Sequence, residues 1–106
     1  MLTEKDEKVL SILASLIRQR FSDARIWAFG SRTRGKATEE SDLDVCVVVD
    51  RLDDSVDRAI MDIAWQVGFE HDVIISTVTY SQQEFEKGPC SESTLVQNVL
   101  NAGVAA

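Results

Sequence analysis

Residues 29–50 read FGSRTRGKATEESDLDVCVVVD, and the fold turns on whether this stretch is a phosphate loop opening a helix or a turn joining two strands. Its first half nearly spells a P-loop, with Gly30, four residues, then Gly35 and Lys36. A P-loop needs Ser or Thr directly after that lysine, to put a hydroxyl on Mg²⁺, and a helix starting there. Ala37 holds the position, and Thr38-Glu39-Glu40-Ser41 leads instead into Leu43–Val49, an apolar, β-branched run too short for an independent helix. An EF-hand loop fails as well, because Asp42-Leu43-Asp44-Val45-Cys46 supplies only two acidic positions before the apolar run begins. The stretch therefore reads as the end of one strand (Ile26–Phe29), a turn opening at Gly30-Ser31, and a second strand.

Working outward, Val9, Ile12, Leu13, Leu16 and Ile17 recur at helical spacing behind a polar first turn, which predicts a helix over 3–21 capped by Thr3. Val56, Ala59, Ile60, Ile63, Ala64 and Val67 repeat the pattern between Ser55 and Phe69, after Asp53-Asp54. Asp72–Val78 is the expected third strand. Ser81 followed by Glu84 is a capping-box pattern opening a short helix that Gly88-Pro89 ends. Leu95, Val96, Val99 and Leu100 predict a last helix, fraying at Gly103. The order is that of an α/β (α+β) domain, a small mixed three-stranded sheet flanked by helices, and 106 residues make it one domain over 1–106.

That topology decides where three carboxylates fall. The loop from Gly30 to Ser41 is too short for a crossover helix, so the first two strands pair antiparallel and Gly30 lies beside Asp42. A whole helix separates the second strand from the third, so that pair is parallel and Asp72 is expected at the same end as Asp42. Asp42 and Asp44 are two apart on a strand and leave one face, with Leu43 on the other. Three carboxylates so gathered repel one another unless a cation sits among them, and hard oxygen ligands suit Mg²⁺, which shares its shell with substrate phosphates. The plain alternative is a solvated strand entrance for Asp42 and Asp44 and a turn acid for Asp72. His71 points away from Asp72 on that strand reading and is a surface or packing residue. Arg32, Arg34 and Lys36 form a local cationic run, either a solvated loop or a contact to a triphosphate.

Composition narrows the partners. A net charge of −7 argues against unspecific nucleic-acid binding, which requires many Lys and Arg acting together, so any phosphate is bound at one local site. Cys46 and Cys90 lack CxxC or His-rich surroundings and read as two reduced thiols of a cytoplasmic protein. No stretch approaches the ~20 apolar residues of a membrane span.

With these residues assembled, the chain resembles the DNA polymerase beta-like nucleotidyltransferase superfamily, in its minimal nucleotidyltransferase branch. Phe29-Gly30-Ser31 matches the family's apolar-Gly-Ser turn, ten residues follow, and Asp42-Leu43-Asp44-Val45 matches its DxD strand. His71-Asp72-Val73 resembles its third acidic strand, and residues 91–104 are similar to its terminal helix. The resemblance implies that Ser31 and the backbone around Gly30, with Arg32 and Arg34, hold the nucleotide's phosphates. It implies that Asp42, Asp44 and Asp72 carry metal, two Mg²⁺ ions about 3.5–4 Å apart in such sites, with Asp72 also helping to deprotonate the acceptor. The implied reaction moves AMP from ATP to a hydroxyl, and minimal members commonly pair with a small helical HEPN-domain toxin as its antitoxin. Two other readings stand beside it: a non-catalytic antitoxin that neutralises by complex formation, and transfer to a small-molecule acceptor.

Overall fold

The computed structural model describes residues 2–30, 42–88 and 93–106. Its first helix, α1 (Glu4–Arg20), starts where the sequence places it. The Asp6 amide donates to Thr3 Oγ1 at 3.1 Å, and the Thr3 amide donates back to the Asp6 carboxylate at 3.4 Å. This closed capping box lets Asp6 be buried, and such a cap contributes about 1 kcal/mol. Val9, Leu10, Leu13, Ala14 and Ile17 then form one buried stripe at helical spacing.

Strand β1 (Arg25–Phe29) pairs antiparallel with β2 (Leu43–Val49), aligning Phe29 with Asp44 and Trp27 with Cys46. Helix α2 (Asp54–His71) returns the chain to β3 (Ile75–Ser81), which pairs parallel to β2 with Leu43 opposite Ile75. Both pairings are those that the loop lengths require. Asp53 caps α2 by accepting from the Val56 amide at 2.9 Å. Helix α3 (Gln82–Glu86) carries the anticipated Ser81–Glu84 box, and α4 (Thr94–Ala102) is capped by Ser93.

Two expectations need correction. The sheet has four strands in the order β3-β2-β1-β4, because Val104–Ala105 form a short β4 antiparallel to β1 where a fraying helix end was anticipated. The third strand begins at Ile75, not Asp72, since α2 runs to His71 and Asp72 is its C-cap, in the left-handed conformation at φ 57°. The amides of Asp72 and Val73 both donate to the Gly68 carbonyl, folding the turn back on the helix. A Cβ on Gly68 would collide with the Val73 carbonyl oxygen, so glycine there permits this tight exit.

The sheet is covered on both faces. On one, Ile26, Ala28, Leu43, Val45, Val47 and Val49 pack against α1 and α2. On the other, Cys46 and Val48 meet Phe85 of α3 and Val96 and Val99 of α4, with Trp27, Phe29 and Tyr80 at the margins. A strand buried on both faces reads as a continuous apolar run, which explains Val45–Val49. Burial pushes the Cys46 thiol up to about 12, only partly opposed by the Arg25 guanidinium. Among the described residues no helix is long and apolar enough to cross a membrane.

Candidate active site

Among the described residues, the second face of the sheet is covered over the middle and far end of β2 but open at its beginning. Asp42, just before the strand, is exposed, and Asp44 is half-buried. Alternation puts Asp44 on the same face as Cys46, and the register flanks it with Phe29 on β1 and Ser76 on β3. The two carboxylates thus stand at the open end of an otherwise filled interlayer space.

Gly30 completes this edge. Its φ of +84° is the left-handed conformation that glycine adopts without cost, and a Cβ there would collide with Asp44 Oδ2. The backbone leaving β1 therefore passes directly against the Asp44 carboxylate. Only glycine allows both the turn and that approach.

The electrostatics show strain. Burial raises the Asp44 carboxyl above its ordinary 3.8, and the neighbouring charge of Asp42 raises it further. A divalent cation would relieve both effects at once, and two carboxylates with room for water and phosphate oxygens are a donor set that Mg²⁺ accepts. Asp42 and Asp44 fit such an ion.

Asp72 occupies a different kind of position. As the cap of α2 it lies outside the strand, and among the described residues no group of three or more His, Cys, Asp or Glu is gathered closely enough to hold a metal. The position beside Asp44 on β3 belongs to the exposed Ser76, four residues beyond Asp72. Ser76 was accessible only through the pairing register, counted back along Ile75-Ser76-Thr77. The anticipated phosphate contacts Ser31, Arg32 and Arg34 lie outside the described residues, as do Lys36 and Cys90.

A mixed sheet between helices, with a glycine turn pressed on a two-aspartate strand entrance, defines the core of a nucleotidyl-transferring domain. The chain belongs to the nucleotidyltransferase domain family, whose pattern matches residues 10–105. It is 34% identical over 67 residues to the probable protein adenylyltransferase MntA of Haemophilus influenzae, a match covering 55% of this chain and 57% of that protein. The match thus spans little more than half of that relative's length. Among solved structures, a toxin–antitoxin with AMP-PNP superposes with a TM-score of 0.62 at 22% identity, over 90% of this chain and 69% of the other. An MntA–HpeT toxin–antitoxin variant with two Asp-to-Glu changes two positions apart gives 0.61 at 21% identity, over 94% and 70%. A Tyr-to-Ala variant of MntA–HpeT gives 0.61 at 24%, over 100% and 72%. These structures share the fold.

Proposed function

We propose that this chain is a Mg²⁺-dependent nucleotidyltransferase that moves AMP from ATP to a hydroxyl, such as a tyrosine, of a small helical HEPN-domain toxin, and so serves as its antitoxin. The observation that carries this reading is the contact of the Gly30 turn with Asp44, beside the exposed Asp42 at the open end of the sheet. Family membership supplies the reaction class. The relative named as a protein adenylyltransferase, and neighbours solved as toxin–antitoxin complexes, one with AMP-PNP, support the acceptor class and the nucleotide.

In the reaction the acceptor oxygen forms a bond to the α-phosphorus, the bond to the pyrophosphate oxygen breaks, and the hydroxyl proton is released. Bound Mg²⁺ would supply charge neutralisation for the phosphates and for the entering and leaving oxygens. Asp42 and Asp44 would hold that ion at a fixed edge, and the left-handed turn at Gly30 keeps a side chain off the Asp44 carboxylate there. Ser31, Arg32 and Arg34 follow that turn directly and are assigned to the triphosphate. Asp72 is assigned the helix cap and no metal.

The test incubates the purified chain with Mg²⁺, labelled ATP and a candidate HEPN-domain protein, the product of a neighbouring gene. Label should appear on the partner and vanish with Asp42→Asn. No label from correctly folded protein would sink the transfer reading. Full neutralisation of the toxin by an Asp42→Ala, Asp44→Ala variant would favour an antitoxin acting by complex formation alone.

A further inference from the structure

Helix α2 is amphipathic in an unusual way, because its outer flank carries a second apolar stripe. Met61, Trp65 and Phe69 follow one another at four-residue spacing and are 53%, 70% and 75% exposed. The Trp65 and Phe69 rings stack, with centroids 5.3 Å apart and planes at 10°. The stripe starts one turn after Asp57, whose carboxylate accepts from the Thr79 hydroxyl of β3 at 2.6 Å, and from that β3 side it turns outward by about 40° at each four-residue step.

Strand β3 is the sheet edge among the described residues, and its sequence ISTVTYS has no charge, proline or glycine to discourage pairing. Just before it, Ile74 is 68% exposed. The Ile74 carbonyl accepts from the Leu43 amide at 2.8 Å, which places it one residue from both Asp42 and Asp44 along β2. The C-terminal end of the stripe and Ile74 therefore lie at the end of the sheet that carries Asp42 and Asp44, since the amide of Val73, next to Ile74, donates to the Gly68 carbonyl beside Phe69.

We infer that the Met61–Trp65–Phe69 stripe, continued by Ile74 just before β3, is the docking surface for the acceptor protein and delivers its hydroxyl to Asp42 and Asp44. This rests on the function proposed above and specifies where the partner sits. Stacked exposed aromatics are the side chains that anchor protein interfaces. Charge selects the occupant: Asp62, Glu70 and Asp72 flank the stripe, with Arg58 the one exposed cation of α2 beside them among the described residues, on a chain of net charge −7. A second copy would oppose like charges, whereas a partner with a basic rim around an apolar patch is complementary.

The experiment measures binding of that HEPN-domain protein by calorimetry, with AMP-PNP affinity and circular dichroism as controls. Trp65→Ala with Phe69→Ala should weaken partner binding at least about tenfold and lower AMP transfer in step, while AMP-PNP affinity is unchanged. Met61→Glu, a single exposed change on the same stripe, should act in the same direction. Asp42→Asn with Asp44→Asn should bind the partner normally and transfer nothing. Unchanged partner affinity in folded stripe variants would overturn the inference, as would a wild-type chain that binds no partner. So would a wild-type dimer that becomes monomeric when Trp65 and Phe69 are removed. Partner binding that depends on the stripe but yields no AMP transfer would keep the docking surface and sink the transfer reading.

Discussion

The two ends of β2 lie only a few residues apart yet obey opposite rules. From Val45 to Val49 every side chain is buried, on one face against α1 and α2 and on the other against α3 and α4. At the beginning, Leu43 is still fully buried, but Asp44 on the opposite face is half-buried and charged, and Asp42 is exposed. One end of the strand stabilises the domain. The other is held in place by that stability while carrying an electrostatic cost of its own, as sites built for a ligand do.

The contrast predicts effects of different kinds from neighbouring substitutions. The largest is on catalysis: Asp42→Asn with Asp44→Asn should lower AMP transfer by about 10³-fold or more, about 4 kcal/mol of barrier, with little loss of fold by circular dichroism. Next is Leu43→Ala, which empties a fully buried site between them and should cost about 3 kcal/mol in urea unfolding. An equal stability loss from the aspartate pair and from Leu43 would break the distinction. Gly30→Ala should come third, at about 1–2 kcal/mol from the left-handed backbone, together with reduced transfer as the new methyl displaces Asp44.

The smallest effect sharpens the comparison most. Because the Asp44 carboxyl is raised above 3.8, the native state holds a proton that the unfolded chain has already released. Stability should therefore fall as pH rises from the ordinary carboxylate range through the raised value, and stay lowered above it. Asp44→Asn should thus melt slightly higher than wild type at neutral pH, the difference closing below the ordinary carboxylate range. Mg²⁺ should raise the wild-type melting temperature and leave the asparagine variant unmoved.

Much of this arrangement is legible locally. Thr3 and Ser81 announce their helices by capping chemistry, and the length of the loop after Gly30 gives the antiparallel pairing, although the register, with Phe29 opposite Asp44, sets Gly30 against Asp44 where the sequence suggests Asp42. Asp72 misleads because His71-Asp72-Val73-Ile74-Ile75 reads as the start of a strand. What decides otherwise is the close return of Val73 over Gly68, a contact that no periodicity reports. Strand β4 is invisible for the same reason: two residues, Val104 and Ala105, acquire their conformation from pairing with β1. Ser76 and the exposure of Trp65 depend on register and on which flank of α2 meets the sheet, both settled by tertiary packing.

Cys46 turns the central strand into a built-in clock for opening of the sheet. Its thiol, sealed between β1 and β3 and held largely protonated up to about 12, cannot meet a labelling reagent without separation of α3 and α4 from that face. In a Cys90→Ser background, the rate at which Cys46 is modified therefore counts those openings directly. Comparing that rate with and without nucleotide and Mg²⁺ would report how far an occupied edge steadies the layers behind it.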